Sequence, residues 1–192
     1  NAVDFIAELR QAEDFAKVAV GRRVMVIGGG MTAIDVGTQA RLLGAQDVTI
    51  AYRRGRDNMN ASSAEQDQSS AKGVNIRHWM QPVEVTKSGS GSLNVKMEFT
   101  TLSEGKLTGT GKFETVEVDQ LFTAIGQTLA AGEAIGSIAV EHGRIRVDET
   151  FRTSNPSVWA GGDCVAGGDD LTVTAVAQGR DAAEAIHAAL VT

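Results

Sequence analysis

Apolar residues along this chain fall into short runs and stripes that predict alternating strands and helices. Residues 24–27 form a continuous apolar run, as expected of a strand that is covered on both faces. The next apolar residues recur at intervals of three and four, which predicts one face of a helix, and Gly44 follows as a stop signal. The members of this stripe are Ala33, Val36, Ala40 and Leu43. A second strand is predicted at 47–52, a second helix at 62–72 and a third strand at 74–79.

The pattern changes after Pro82, where short β-prone runs alternate with turns. The runs lie at 83–85, 93–99 and 115–118, and the loops between them at 88–92 and 106–111. This order predicts an antiparallel meander that is inserted as the crossover of a parallel sheet. Residues 121–126 then predict the return to a buried strand.

The two ends of the chain have weaker patterns. Residues 1–22 contain a short amphipathic stretch, which predicts an approach segment rather than a domain. Residues 143–148 predict a further short strand, and residues 172–190 predict a last helix. The stripe of that helix consists of Ala175, Gly179, Ala182 and Ile186.

Composition narrows the class of protein. With 192 residues, 42% hydrophobic and 22% charged, this is an ordinary globular sequence that can hold one full domain and part of another. The net charge of −6 argues against a nucleic-acid partner, and no stretch approaches the roughly 20 apolar residues of a membrane span. There is no secretory signal, and a single cysteine excludes an internal disulfide, so a cytoplasmic location fits best. The chain begins at Asn1 rather than at a methionine, which leaves an upstream extension open.

The junction between the first strand and the first helix carries the clearest chemistry. It reads Gly28-Gly29-Gly30-Met31-Thr32-Ala33, which fits the dinucleotide-binding pattern GxGxxG/A. Gly28 allows a sharp turn, and Gly30 leaves room for a pyrophosphate. Ala33 keeps the helix close to the strand. The helix N-terminus then offers free N–H groups and a positive dipole end to the phosphates. We therefore predict a dinucleotide site here; the alternative is a purely structural glycine turn.

The end of the second strand indicates which dinucleotide is preferred. A site selective for NAD has an acidic residue there, whereas this chain has Arg53 and Arg54. A carboxylate would repel a 2′-phosphate, and guanidinium groups bind one through charged hydrogen bonds. The pair favours NADPH over NADH, although NADH remains possible. The alternative is a solvated basic turn.

Four motifs in this order resemble a known family: IGGGMTAID, YRRG, TAIGQ and TSNPSVWAGGDCVAGGDDLTVTAVAQGRDAAEAI. They are similar to the flavoproteins with two dinucleotide-binding domains. The nearest branch contains the glutamate synthase small subunit and the flavoprotein part of dihydropyrimidine dehydrogenase. The resemblance runs from Val20 to Leu190. The one departure in the glycine motif is Met31, where relatives usually have Asp or Asn.

In that family the nicotinamide domain is inserted within the FAD domain, and this chain matches only the insertion and the part after it. The resemblance implies an α/β fold: a Rossmann-like parallel sheet with an antiparallel β-meander crossover, followed by a partial FAD-domain segment. It divides the chain into an approach segment at 1–22, an NAD(P)H-binding domain at 23–150 and the C-terminal segment of an FAD-binding domain at 151–192.

The resemblance also implies further cofactor residues beyond the glycine motif and the arginine pair. Gly162 and Asp163 match the segment that binds the ribityl chain or pyrophosphate of FAD. Three residues match the helix start that points at the flavin ring, and three match the exit from the nicotinamide domain. These two groups are Thr172, Val173 and Thr174, and Ala124, Ile125 and Gly126. The FAD pyrophosphate also needs a glycine motif of its own, so we expect FAD to bind only with the missing N-terminal segment.

The implied function is to pass electrons from NADPH through FAD to iron–sulfur partners, on a partner subunit or domain, since one cysteine cannot hold a cluster. Hydride transfer between nicotinamide and flavin needs no protein acid or base, so no catalytic residue is assigned. The three histidines are far apart in sequence, so we expect no metal site. The main alternative is a non-catalytic dinucleotide-binding or assembly module. A dehydrogenase acting directly on a small substrate is disfavoured, because no catalytic His/Lys/Tyr constellation is present.

Overall fold

The computed structural model describes residues 1–89, 91–129, 136–167, 169 and 171–191. These form two compact units, one from Asn1 to Gly126 and one from Gln127 to Thr192. The division between the compact units falls within the predicted NAD(P)H-binding domain of residues 23–150. The reason is that residues just before 150 pair within the second unit. Ile145 bridges to Val165, and Val147 bridges to Thr153.

The first unit contains three α-helices, two short 3₁₀ turns and seven strands among its described residues. In chain order the α-helices and strands are α1 (Ala2–Gln11), β1 (Arg23–Ile27), α2 (Met31–Leu42), β2 (Asp47–Tyr52), α3 (Ser63–Ala71), β3 (Val74–His78), β4 (Met80–Lys87), β5 (Leu93–Ser103), β6 (Lys106–Val118) and β7 (Gln120–Thr123), and the 3₁₀ turns lie at Phe15–Lys17 and Arg56–Asn58. Strands β3, β2, β1 and β7 form a parallel sheet in that spatial order. Strands β4, β5 and β6 form an antiparallel sheet, so the predicted meander crossover is present.

The parallel sheet is covered on both faces, which explains the unbroken apolar run of β1. Val24 and Val26 pack into the core that contains α1 and α2. Met25 and Ile27 pack into a second core with Val95 and other residues of the antiparallel sheet. Because successive side chains of a strand point to opposite faces, a strand between two layers must be apolar at every position.

Helix α2 buries the face that its sequence pattern predicts. Ala33, Val36 and Ala40 are fully buried, and Leu43 packs against the same core. Gly37 adds a close approach that the pattern did not indicate, because a Cβ there would lie 2.9 Å from Cδ1 of Ile50 on β2. The small residues let the helix lie directly on the sheet.

Residues 1–22 were predicted as an approach segment, but their helix packs into the core of the first unit. Helix α1 buries Ala2, Phe5 and Leu9, and the Phe5 ring lies 4.7 Å from the Phe122 ring on β7. Burying a phenylalanine side chain stabilises a fold by about 1.5–3 kcal/mol. This segment is therefore part of the first unit's core.

The loop predicted at 106–111 is also wrong, because these residues belong to β6. The chain turns instead at Glu104 and Gly105, which have φ values of 51° and 77°. Positive φ at both central residues is typical of a two-residue hairpin turn. The predicted loop at 88–92 contains Ser90, which lies outside the described residues. The N–H of Ser88 donates to the carbonyl of Ser92 at 2.8 Å and closes that loop.

Helix α3 begins with a capping box, which gives a testable stability contribution. The Ser62 hydroxyl accepts from the Glu65 N–H, and the Glu65 carboxylate accepts from the Ser62 N–H at 2.7 Å. We expect Ser62→Ala to lower the free energy of unfolding by about 1 kcal/mol. The matched control is Ser63→Ala, one residue later and outside the box. Equal melting temperatures for the two variants would contradict the assignment.

The same capping box gives a pH dependence with a defined sign. Hydrogen bonds from Ser62 lower the pKa of the Glu65 carboxyl below its ordinary value. A group whose pKa is depressed on folding stabilises the fold above its unfolded pKa. That contribution is therefore lost as the pH falls through the folded-state pKa of Glu65.

The second unit is built from short elements and one long helix. Strands β8 (Val140–Glu141) and β9 (Arg144–Ile145) form a hairpin, and α4 runs over Thr172–Val191. Of the predicted stripe on α4, Ala182 is buried and Ile186 is half-buried, whereas Ala175 and Gly179 are exposed. Within the described ranges, none of the helices combines the length and apolar character that a membrane crossing requires.

Candidate functional site

The glycine turn lies at the carboxyl end of β1, in the middle of the parallel sheet. Gly28 has a φ of +149°, and its N–H donates to the Ala51 carbonyl at 3.1 Å. A Cβ on Gly28 would overlap the carbonyl of Ala124, which follows β7. The first glycine is thus required both by its backbone conformation and by the close approach of the β7 end.

Gly29 is required for a different reason. A Cβ there would press into the ring of Tyr52 at the end of β2. The Gly29 carbonyl accepts from the Ala61 N–H at 3.1 Å, and the Tyr52 hydroxyl donates to the Asn58 carbonyl at 2.6 Å. These contacts hold the loop between β2 and α3 beside the glycine turn.

Gly30 differs from both, because a Cβ at this position would meet no atom within 4 Å. Gly30 is the N-cap of α2, with φ −96° and ψ 179°, and supplies no side-chain hydrogen bond to the first turn. Met31 is exposed and Thr32 half-buried, whereas Ala33 is fully buried against the sheet. No protein atom fills the space beside Gly30, so an open space faces the N-terminus of α2.

The strand order places this turn at a switch point of the sheet. From β1 the chain moves to β2 on one side and later to β7 on the other. In open α/β sheets, ligands bind at the carboxyl ends of the strands where the order reverses. Ala124 and Ile125 follow β7 at this edge; the Ala124 N–H donates to the Ile27 carbonyl at 2.8 Å, and Ile125 is 76% exposed. Gly126 has a φ of +111°, with open space around it.

The basic cluster after β2 separates into bound and free arginines. The Arg56 guanidinium donates to Asp67 at 2.6 Å and to the Ser63 carbonyl, so it fastens its loop to α3. Arg53 and Arg54 are exposed, and neither guanidinium has a hydrogen-bond or ion-pair partner among the residues that the structure describes. Two exposed cations therefore lie at the carboxyl end of β2, the strand next to β1.

His78 lies at the end of β3 beyond these arginines. Burial lowers the pKa of its imidazole, and the nearby Arg56 lowers it further against an opposing effect of Asp57. This lower pKa favours the neutral form of the imidazole. Within the described part of the chain, no three His, Cys, Asp or Glu side chains cluster so as to hold a metal ion.

The second unit carries the other predicted cofactor residues. A short 3₁₀ turn at Gly162–Cys164 follows Gly161, and the Gly162 N–H donates to Oε1 of Gln178 on α4 at 2.7 Å. Gly162 has a φ of +83°, and Asp163 is exposed. An open cavity of about 770 Å³ in this unit is lined by residues 147–151, 165–167 and Gln178.

At the start of α4, Thr172 and Val173 are exposed and Thr174 is half-buried. The predicted cofactor residues therefore form two groups, one in each unit. The glycine turn, the arginine pair and the β7 exit share one sheet edge; residues 162–163 and the start of α4 belong to the second unit. Sequence reasoning missed Tyr52 and Gln178, whose contacts to glycines come from distant parts of the chain.

A model of the family described as pyridine nucleotide-disulphide oxidoreductase matches residues 1–179. The chain belongs to this family. The resemblance inferred from the four motifs is thereby confirmed. In general, members of the pyridine nucleotide-disulphide oxidoreductase family bind FAD and NAD(P)H.

Two curated relatives of this chain agree with its assignment to that family. The glutamate synthase [NADPH] small chain of Escherichia coli is 38% identical over 181 residues, which cover 86% of this chain and 38% of the relative. The NAD-dependent dihydropyrimidine dehydrogenase subunit PreT of Escherichia coli is 33% identical over 186 residues, which cover 97% of this chain and 41% of the relative. The chain thus spans about two fifths of the length of these relatives.

The fold of this family member also matches solved structures. A thioredoxin reductase from T. acidophilum superposes with a TM-score of 0.74 at 22% identity, over 88% of this chain and 53% of the other. This likeness shows the fold alone, and it confirms the predicted α/β architecture with a Rossmann-like parallel sheet.

Proposed function

We propose that this chain is the nicotinamide-binding part of an FAD-dependent oxidoreductase that passes electrons from NADPH through FAD to iron–sulfur partners. The observation that carries the proposal is the open N-terminus of α2 at Gly30, which lies at the switch point of the sheet, where the neighbouring strand β2 leads into two exposed arginines. The open space gives room for the pyrophosphate, and the N–H groups at the helix N-terminus can donate hydrogen bonds to it. The two cations can pair with the 2′-phosphate.

Each group of residues has a defined task in this proposal. The glycine turn binds the pyrophosphate, because Gly30 leaves space where another residue would place a side chain. Arg53 and Arg54 bind the 2′-phosphate through charge-assisted hydrogen bonds. Ala124, Ile125 and Gly126 line the exit where the nicotinamide lies. Bound NADPH supplies the hydride, and the protein holds and shields it without a general acid or base.

The preference for NADPH rests on the arginine pair rather than on family membership. The names of the two relatives differ in the coenzyme, since one specifies NADPH and the other NAD. The end of β2 leads into Arg53 and Arg54 in place of an acidic residue, and these two exposed guanidinium groups favour the phosphorylated coenzyme. Isothermal titration calorimetry with NADPH and NADH tests this preference, and tighter binding of NADH would contradict it.

The second unit is proposed as the C-terminal segment of an FAD-binding domain. Gly162, Asp163 and the helix start at Thr172, Val173 and Thr174 supply part of that site. The upstream strand and glycine turn that hold the FAD pyrophosphate complete it, and they are proposed to lie in an N-terminal segment of the full protein. Acceptors suggested by the resemblance are a pyrimidine or a glutamine-derived imine, each reduced on a partner subunit.

Electrons must leave the flavin by a route other than a thiol pair of this chain. Cys164 is the single cysteine of the sequence, and its thiol donates to the Gly161 carbonyl at 3.2 Å. A redox-active disulfide needs two cysteines, so the transfer used by thioredoxin reductases has no counterpart within these 192 residues. This supports iron–sulfur partners as acceptors.

We expect the 192-residue chain, purified alone, to be colourless and to lack NADPH oxidase activity, because only part of the flavin site is present. The absorption spectrum of the purified chain checks this, and adding the upstream segment in the same chain should give a yellow protein. A flavin band near full occupancy in the isolated chain would contradict the account of the incomplete site.

The second candidate function is a non-catalytic module that binds a dinucleotide without turnover. The gene upstream of Asn1 discriminates the two. A strand, a GxGxxG turn and a helix encoded there support the oxidoreductase, whereas a start codon close to Asn1 supports the module.

A further inference from the structure

The backbone of the arginine pair is contacted by a residue that lies far away in sequence and outside the parallel sheet. Thr100 on β5 is only 5% exposed, and its hydroxyl donates to the Arg53 carbonyl at 2.8 Å. No other residue between β2 and the 3₁₀ turn at Arg56–Asn58 receives a side-chain hydrogen bond from the antiparallel sheet among the described residues. The meander thus contacts the backbone of the turn that carries the two cations.

Trp79, between β3 and β4, fixes the next residue of the turn. The Trp79 N–H donates to the Arg54 carbonyl at 3.2 Å, and the Trp79 carbonyl accepts from the Thr100 N–H at 2.9 Å. Trp79 has a φ of 60°, which non-glycine residues rarely adopt and which persists only where surrounding contacts impose it. The indole lies against Gly55, where a Cβ would come within 2.9 Å of the ring.

Thr100 also lies where the meander departs from regular pairing. The register between β5 and β6 shifts between Glu98 and Thr100, so that Glu98 pairs with Phe113 and Thr100 with Gly109. Such irregularities commonly re-aim a side chain next to a functional site.

We propose that Thr100 is a positioning residue for coenzyme selectivity, an inference that rests on the proposed function. Neither guanidinium group has a protein partner among the residues that the structure describes, so the location of both groups depends on the backbone of residues 53–54. The Thr100 hydroxyl and the Trp79 N–H hold two consecutive carbonyls of that backbone. The hydroxyl therefore acts on the 2′-phosphate through the arginines and has no effect on a coenzyme that lacks this phosphate.

The test compares Thr100→Val, which keeps the shape and removes the hydroxyl, with Thr100→Ser, which keeps the hydroxyl. Calorimetry on the full chain should show that Thr100→Val weakens NADPH by about fivefold, as expected for one lost hydrogen bond, and leaves NADH unchanged. Thr100→Ser should retain the wild-type ratio of the two affinities. Equal weakening of both coenzymes would assign a merely structural role to the hydroxyl and overturn the inference.

A double-mutant cycle separates this inference from the function on which it rests. In the Arg53→Ala/Arg54→Ala background, Thr100→Val should cause no further loss of NADPH affinity. If the arginine variant itself binds NADPH as wild type does, the 2′-phosphate site is wrong and the inference fails with it. If the arginine variant loses NADPH but Thr100→Val does not, only the role of Thr100 is refuted.

Gly55→Ala provides a second variant that does not touch the hydroxyl. Gly55 has φ −73° and ψ 168°, which alanine adopts freely, so the change acts only by displacing the Trp79 ring. It should also reduce the NADPH-to-NADH affinity ratio. An unchanged ratio with a folded protein would contradict the role assigned to the Trp79 contact.

Discussion

Replacing Gly30 with valine should abolish dinucleotide binding while the domain stays folded. A Cβ at this position meets no atom within 4 Å, and the backbone angles of φ −96° and ψ 179° lie in the region that valine prefers. The branched side chain would therefore occupy the open space that we assign to the pyrophosphate. Calorimetry with NADPH measures the loss, and circular dichroism with thermal melting measures the fold.

The folded state should be affected only slightly. Valine is a poorer N-cap than glycine, so the free energy of unfolding should fall by about 1 kcal/mol. Gly89→Val is a matched control, because that glycine also faces open space but lies in the hairpin loop between β4 and β5. It should leave NADPH binding unchanged. Retained NADPH affinity in a folded Gly30→Val protein would show that the dinucleotide binds elsewhere.

The second large effect is expected at the arginine pair. Arg53→Ala/Arg54→Ala should weaken NADPH by about 1.5–3 kcal/mol per contact at most, which is the range for hydrogen bonds to charged groups, and should leave NADH nearly unchanged. Because both side chains are exposed and unpartnered among the described residues, their removal should not lower the melting temperature. Equal loss of affinity for both coenzymes would refute the assignment.

Two controls sharpen this measurement. The Arg53→Lys/Arg54→Lys variant keeps the charges but loses the planar fork, so it should bind NADPH with intermediate affinity. NADPH binding to the wild type should weaken as salt is raised, since exposed charges are screened over about 10 Å at 0.1 M. NADH binding should depend less on salt, because it lacks the 2′-phosphate.

The sequence predicted those helices and strands that show themselves in the pattern of residues close together along the chain. The run at 24–27 and the stripe from Ala33 to Leu43 reflect burial on both sides of one sheet, and periodicity reports that burial directly. The capped helix α3 and the glycine turn also carry their own start and stop residues. The β7 exit at Ala124, Ile125 and Gly126 was implied only by the family resemblance, and it lies at the same sheet edge as the glycine turn and the arginine pair.

Other features depend on contacts between distant residues. The burial of α1 depends on the pairing of Phe5 with Phe122, which no local pattern shows. In β6, Gly109 and Gly111 suggested a loop, but both belong to the strand. Gly109 makes room for the Glu98 side chain, and Gly111 has the positive φ of an irregular strand. Thr100 likewise gives no local signal, because its importance lies in one hydrogen bond to Arg53 across the fold.

The most direct test of the proposed nicotinamide site is a titration of the ¹⁵N-labelled chain with NADPH, followed by amide chemical shifts in two-dimensional NMR. The account predicts that the largest shifts fall at the glycine turn and the start of α2, from Gly28 to Ala33, and at Arg53 and Arg54. With NADH, the shifts at the glycine turn should persist and those at the arginine pair should shrink. Largest shifts elsewhere in the chain, with the glycine turn unaffected at saturation, would contradict the account.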